Sequence, residues 1–399
     1  MKKKYILAAL FLIALAFYYW STQKDLGYYQ PEALATHSNG EQFVGSETCM
    51  ECHKDIHSTH LQTAHYNTSA IANAENLKGS FKPDENTIKV GRVEFEMLKE
   101  GKSFYQHTHV KAPDLPIPPK KFDIVIGSGV KGQSYLNWQE DKLFQLQASY
   151  YPPSDSWINS PGFPDRILER PVRDGCLKCH VTFATNRDFS GQGNQYDKAK
   201  IVYGVDCERC HRPAAKHVIY HRNNPKETVS KYMLKLDTLA RQQRLDVCAQ
   251  CHSGPRDALL KGNSFSFLSG EDLDTYSRNY YTGLKDSDLD VHGNQYGLLA
   301  SSKCFQLSPR MDCSTCHDPH KNQRGNVAHF NQKCSGCHGG GSVTCAAPTA
   351  ETQAMGNNCI ACHMPNTPSK LMSVQLPQSG PEVSVFVRTH LIGIYSKDE

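Results

Sequence analysis

The pentapeptide Cys-x-x-Cys-His occurs seven times in this 399-residue chain. The copies are Cys49-Met-Glu-Cys52-His53, Cys176-Leu-Lys-Cys179-His180, Cys207-Glu-Arg-Cys210-His211, Cys248-Ala-Gln-Cys251-His252, Cys313-Ser-Thr-Cys316-His317, Cys334-Ser-Gly-Cys337-His338 and Cys359-Ile-Ala-Cys362-His363. Two thiols three residues apart share one helical face, so both can add to the vinyl groups along one porphyrin edge while the next residue turns its imidazole under the iron. Paired cysteines also build zinc sites, but a tetrahedral site takes two pairs and does not ask for a histidine behind each. Seven is odd, and every pair carries its histidine. The motifs therefore predict seven covalently bound haem c groups, with His53, His180, His211, His252, His317, His338 and His363 as proximal ligands.

What fills the sixth position decides the chemistry, because a methionine raises the potential and an open position admits substrate. Nineteen histidines less the seven in motifs leave twelve, enough to give every iron a second imidazole. His320, three residues beyond the fifth motif and past a proline, is placed to reach a neighbouring haem, and His217 stands similarly after the third. His65, His292 and His390 come next, in segments otherwise poor in motifs. His57, His60, His107, His109, His221 and His329 are weaker candidates, and His37 reads as a solvated tether residue. Fourteen of the sixteen cysteines belong to motifs. The remaining two, Cys304 and Cys345, are expected to form a disulfide in an oxidising compartment.

Only 39% of residues are hydrophobic and the mean hydropathy is −0.55. With about one haem per 57 residues, the cofactors must supply much of the apolar interior, and the haem-free chain is expected to fold poorly. The formal charge of +4 is reversed by two propionates per haem, to about −10 with all irons ferrous and about −3 with all ferric. Nothing here points to a nucleic-acid partner.

Elements must position these ligands. Lys2, Lys3 and Lys4 precede an apolar run from Tyr5 to Trp20, the layout of an export signal. It is read either as cleaved after Ala14-Leu-Ala16 or as a retained membrane anchor, which the aromatic cluster at its end favours. Residues 1–22 are thus a signal peptide or anchor, 23–48 a polar tether, and 49–85 a first haem segment. Residues 86–170 form a β-rich insertion, and 171–399 a haem-binding region with motifs 2 to 7. The insertion rests on Ile88, Val90, Val93, Phe95 and Met97, on Phe122-Asp-Ile-Val-Ile126 and on Leu143-Phe-Gln-Leu146. Helical spacing of Val229, Met233, Leu236, Leu239 and Leu245 predicts one longer helix over 227–250. The fold class expected is mainly α with much irregular structure: a multihaem cytochrome c array with a small antiparallel β insertion between motifs 1 and 2.

Several segments carry a resemblance beyond the motifs: Val44-Gly-Ser-Glu-Thr-Cys49 with Thr63-Ala-His65, Ile126-Gly-Ser-Gly129 with Asn159-Ser-Pro-Gly162, the third motif with His217, Cys316-His-Asp-Pro-His320, and the seventh motif with Arg388-Thr-His390. The chain resembles the multihaem cytochromes related to the tetrahaem carriers that accept electrons from hydroxylamine oxidoreductase. That resemblance implies a mostly helical haem array and distal roles for His65, His217, His292, His320 and His390. The function expected is an exported heptahaem electron conduit through mostly bis-histidine haems, with the question of enzymatic activity open. It would link a membrane-side donor, such as a quinol-oxidising complex or another cytochrome, to a periplasmic or surface acceptor. The alternative is an oxidoreductase with one open haem acting on a small nitrogen or sulfur compound.

Overall fold

Runs of a few polar residues around each motif cannot sustain a helix alone, since nucleation is unfavourable and short helices are marginal. In the computed structural model the motif helices are accordingly brief: Ser46–Met50, Asp174–Leu177, Cys207–His211 and Cys359–His363. The two longest are Arg241–His252 and Val327–His338, and a single 3-10 turn spans Cys313–Thr315. Polar side chains start several of them by accepting a first-turn N–H: Asp206 from Cys207 at 2.8 Å, Asp312 from Ser314 at 3.0 Å and Asn326 from His329 at 3.0 Å. The structure describes residues 4–5, 11–16, 18, 31–110, 117–279, 289–339, 358–376 and 382–395.

Between motifs 1 and 2 lies more β structure than a small insertion. Strands Ser156–Asn159, Lys142–Tyr151, Gln133–Gln139, Ile124–Ile126 and Ser69–Ile71 form an antiparallel sheet in that order, and Arg170–Pro171 adds a sixth strand beside Lys142–Tyr151. A second sheet runs Thr87–Val90, Val93–Glu100, Ser103–Val110, Lys120–Lys121. Between these two sheets Phe95, Met97, Phe122, Tyr135, Leu146 and Trp157 form a closed apolar core. Another core, with Leu136, Leu143, Val172, Phe183, Tyr196 and Phe265, takes in Leu177 of the second motif. The larger sheet thus seats that motif directly. A third sheet appears near the C-terminus, where Asn366–Gln375 pairs with Glu382–Arg388, and Val374 and Val385 pack on Ile158 of the first sheet.

These sheets overturn the mainly α expectation. Of the described residues about 29% are helix and 25% strand, a mixed fold. The helix expected over 227–250 also begins later, at Arg241. The reason is local: the carbonyl of Lys231 accepts from the His217 Nδ1–H at 2.7 Å, and that of Leu234 accepts from the His211 ring at 3.4 Å. A helix would have turned those carbonyls onto the N–H groups four residues on. His37 is likewise no solvated residue; it is buried, with Nε2 3.0 Å from the Phe265 carbonyl. No helix among the described residues is long and apolar enough to cross a membrane, and of the segment Tyr5–Trp20 only residues 5, 11–16 and 18 are described.

Asp174, which opens the second motif's helix, is buried. Its Oδ1 accepts from Asn186 and Tyr196, while its Oδ2 is buried without a partner. Burial raises its pKa to about 6. From about pH 4 to pH 6 the folded protein then holds a proton that the unfolded chain releases, so stability falls as pH rises through that window. The loss should be on the order of 2 kcal/mol, and Asp174→Asn should flatten it. Thermal melts of the holoprotein at pH 4.5 and 7 measure both; an unchanged slope in the variant rejects the assignment.

Candidate haem sites

The helices and sheets surround one continuous cavity of about 2380 Å³ with mainly apolar walls. Ordinary small-molecule pockets reach only about 1,000 Å³, so the space suits several large apolar groups. The first six motifs line it with both cysteines and the histidine, and the seventh contributes Ile360, with Met364 just beyond it. Among the described residues no group of three or more His, Cys, Asp or Glu side chains is arranged to hold a bare metal ion. None of the fifteen described cysteines is in a disulfide; Cys345, the expected partner of Cys304, lies outside the described residues.

Histidines face one another across this cavity. With iron–nitrogen bonds of about 2 Å, and ring centres about 1.1 Å behind the ligating nitrogen, two imidazoles on opposite faces of one iron have centroids about 6.2 Å apart. Four motif histidines meet a second ring at that separation: His53 with His217 at 6.4 Å, His211 with His320 at 6.1 Å, His252 with His65 at 6.2 Å and His317 with His390 at 6.2 Å. His180 has His292 as its electrostatic neighbour, and both line the cavity. A direct contact between these rings would be far shorter. The gap is the width that an iron with two axial bonds requires.

The rings are also oriented for ligation. A ligating imidazole commonly donates its other N–H to a carbonyl or carboxylate, which fixes the tautomer and aims Nε2 at the metal. Besides His217 and His211, His363 Nδ1 donates to the Gly393 carbonyl at 2.7 Å, and His252 Nδ1 lies 3.2 Å from Gln295 Oε1. His320 Nδ1 lies 3.4 Å from Asp318. Burial, with nearby imidazoles adding to it, lowers the pKa of His65 and of His390 to about 4. Burial also lowers His180 to about 4, and it lowers His211, His217, His292 and His317. Such rings are neutral near pH 7, the form that binds metal.

Comparison with known proteins points the same way. The family model described as cytochrome c554 and c-prime matches residues 133–212. A curated relative, the multiheme cytochrome MtrA of Shewanella baltica, is 27% identical over 181 residues, 41% of this chain and 52% of that protein. These matches support the multihaem c-type cytochrome family. The chain spans about half the length of the curated relative it matches. The crystal structure of the outer cell wall cytochrome OcwA superposes on this cytochrome with a TM-score of 0.56, at 18% identity, over 88% of this chain and 79% of that one; the likeness is one of fold. The undecaheme cytochrome from the S-layer of Carboxydothermus ferrireducens gives a TM-score of 0.44 at 18% identity, over 89% and 55% of the two chains. Nothing in these matches ties the cytochrome to hydroxylamine oxidation.

Sulfur positions reveal which motifs are neighbours. Cysteine side chains of different motifs lie within interaction range of one another: Cys49 and Cys207, Cys179 and Cys251, Cys248 and Cys313, and Cys334 and Cys359. Cys210 lies within electrostatic reach of Cys248 and Cys251, and Cys316 within that of Cys334 and Cys337. The motifs therefore adjoin in the order first, third, fourth, fifth, sixth, seventh, with the second branching from the fourth.

Four of the six weaker candidates have other occupations. His107 and His109, on the strand Ser103–Val110, pair with Glu100 and Glu96, while His329 contacts Gln323 and the Cys316 carbonyl. The His221 ring takes the Lys231 N–H. His60 lines the cavity 3.5 Å from Asp206, and His57 is buried with its Nε2 unpartnered. Sequence reasoning missed Glu208, inside the third motif. Its buried carboxylate accepts the N–H groups of Val44, Gly45 and Ala214, locking the entry of the first motif onto the third. Gly45 sits at φ 78 with Leu34 2.7 Å from where a Cβ would stand, so only glycine fits that corner. The acidic residue directly before Cys207 and Cys313 was a legible N-cap signal; Glu208 offered none.

Proposed function

We propose that this cytochrome conducts electrons along seven covalently bound haems, outside the cytoplasm, between a membrane-side donor and a periplasmic or surface acceptor. The observation that carries this reading is the set of four imidazole pairs at 6.1–6.4 Å. Each haem, when bound, supplies a one-electron ferric/ferrous couple. The chain's own residues would attach it through the two thiols of its motif and, at five of the seven haems, hold both axial positions with imidazole: His53 and His217, His180 and His292, His211 and His320, His252 and His65, His317 and His390. Closed axial positions exclude substrate, and two imidazoles hold the potential below that of a histidine–methionine pair. The hydrogen bonds from His217 and His363 to backbone carbonyls raise ligand basicity and favour the ferric state. The apolar walls exclude water, which keeps reorganisation on electron transfer small. Other cytochromes or a quinol-oxidising complex are the partners this chemistry suits, and the export-type N-terminus supports delivery across a membrane.

Intact mass of the denatured holoprotein counts the attached haems, and film voltammetry reads their exchange with an electrode. Seven haems exchanging rapidly, with midpoints mainly below those of histidine–methionine cytochromes, is the expected result. Fewer haems, or midpoints clustered in the histidine–methionine range, would reject it.

A further inference from the structure

Motifs 2, 3 and 4 meet around two buried cationic side chains. Arg209 lies inside the third motif and Lys178 inside the second, 9% and 6% exposed. The Arg209 guanidinium, which stays charged at any accessible pH, lines the haem cavity. Its Nη2–H donates to the Lys178 carbonyl at 2.9 Å, and the Cys251 sulfur lies 3.6 Å from that same oxygen. One carbonyl of motif 2 thus gathers the cation of motif 3 and a sulfur of motif 4. The Lys178 ammonium reaches the other way and donates to the carbonyls of Pro255 and Arg256, just beyond motif 4. Both cations are within electrostatic reach of Cys179 and Cys251.

Buried charges are costly unless something answers them. Here backbone carbonyls supply hydrogen bonds, but among the described residues no carboxylate pairs with Lys178 or Arg209, and the Arg209 Nε is buried without a partner. Glu208, beside Arg209 in sequence, is committed to the N–H groups of Val44, Gly45 and Ala214. The carboxylates ahead of these motifs are themselves answered. Asp174 accepts from Asn186 and Tyr196, Asp246 accepts from Gln242 and Leu273, and Asp312, near Cys248, pairs with Arg244 at 2.6 Å. Thioethers form on the porphyrin edge opposite the propionates, so a haem's own carboxylates point away from cations beside its sulfurs. A positive charge held in a low-dielectric interior favours ferrous iron, which carries one positive charge fewer than ferric.

We propose that Arg209 and Lys178 tune the junction: they raise the potentials of the haems on motifs 2 and 4, so that the first electron to enter the protein comes to rest there. This rests on the conduit reading above and adds to it a place where charge is held between arrival and delivery. Motif 2, which branches off the line of the others, then serves as a reservoir beside the path.

The test is a redox titration of the holoprotein followed by low-temperature electron paramagnetic resonance, beside an intact-mass count of haems. The haem on motif 4 has its own signature. Its rings, His252 and His65, are inclined at 66°, against 24°, 20° and 30° for His53–His217, His211–His320 and His317–His390. Strongly inclined imidazole planes bring two iron d orbitals close in energy and move the ferric signal to low field. Loss of that signal from a Cys248→Ala, Cys251→Ala variant fixes its assignment. As the potential is lowered, the low-field signal should disappear ahead of those from the three nearly parallel pairs. In Arg209→Met the ferric-to-ferrous ratio of the motif 4 haem at a fixed potential should rise about tenfold, a midpoint lower by ~59 mV for one electron. Lys178→Met should act in the same direction, and Arg209→Lys, which keeps the charge, should restore most of the difference. The haems on motifs 1 and 5 should change less than about twofold. A low-field signal that does not disappear ahead of the others would overturn the inference and leave the conduit intact. So would an unmoved midpoint in either methionine variant that keeps seven haems, or an equal shift in Arg209→Lys, which would trace the effect to packing instead of charge. A haem count short of seven in the unaltered protein would instead strike the conduit reading itself.

Discussion

A Cys248→Ala, Cys251→Ala variant is expected to lose one haem of seven and, with it, electron transfer between the two ends of the protein. Motif 4 is the junction of the motif order: Cys248 neighbours Cys313 of the fifth motif, Cys251 neighbours Cys179 of the second, and both lie within electrostatic reach of Cys210 of the third. Because tunnelling falls exponentially with distance, removing the group attached there should slow end-to-end transfer by orders of magnitude. The matched control is Cys176→Ala, Cys179→Ala. It also removes one haem from the same cavity, but the second motif is a branch, and the order first, third, fourth, fifth, sixth, seventh survives. Intact mass would verify one haem lost in each. Photoreduction from a dye fixed near residue 41, followed by time-resolved reoxidation at the C-terminal haems, would then separate them. Slow transfer in the first variant and near-normal transfer in the second is the expected pattern. Equal rates in the two variants would mean that the motif order does not map the path.

The parts of this site that could be read from the sequence are those where covalent chemistry forces a spacing. Thioether attachment needs two thiols on one helical face and an imidazole directly after, so all seven motifs stood out, and a surplus of histidine announced second ligands. Which histidine faces which is set by tertiary packing: His65 lies 6.2 Å from His252 across 187 positions of sequence, and no local pattern encodes that meeting. His37 was misread for the same reason, since its partner, the Phe265 carbonyl, is 228 residues away. Other features were legible and passed over. The segment Val383-Ser-Val-Phe-Val387 shows β-branched enrichment, and it forms half of the C-terminal hairpin. The motif-dense composition around it encouraged a helical expectation that the sheets correct. The failed part of the expected helix, residues 227–240, is different again, because its apolar spacing was real. There the demand of two imidazoles for backbone carbonyls overrode propensity, a tertiary effect that periodicity cannot carry.

Without haem, most of this chain is expected not to fold. Left without haem, a space of about 2380 Å³ would strip its apolar walls of their packing partners, at a cost set against the roughly 5–15 kcal/mol that stabilises a typical native protein. Water entering the cavity would relieve part of that cost, but it would hydrate the apolar walls whose burial must offset chain entropy. The short motif helices have no compensating strength, since helices of four or five residues depend on packing. One region is different. The two sheets before the second motif enclose their own core of Phe95, Met97, Phe122, Tyr135 and Trp157, with the Trp157 indole N–H donating to the Ser80 carbonyl at 2.6 Å. A haem-free chain, made by changing all fourteen motif cysteines to serine, should therefore show no cooperative calorimetric transition. Hydrogen exchange should find protection surviving in strands Val93–Glu100, Ser103–Val110 and Lys142–Tyr151 and lost from helices Arg241–His252 and Val327–His338. Protection retained in those two helices, together with a cooperative melt, would show that protein contacts alone sustain the array. Loss of protection everywhere would mean that the sheets too lean on the haems, through the strand Lys142–Tyr151 and the Leu177 end of the second motif that share a core.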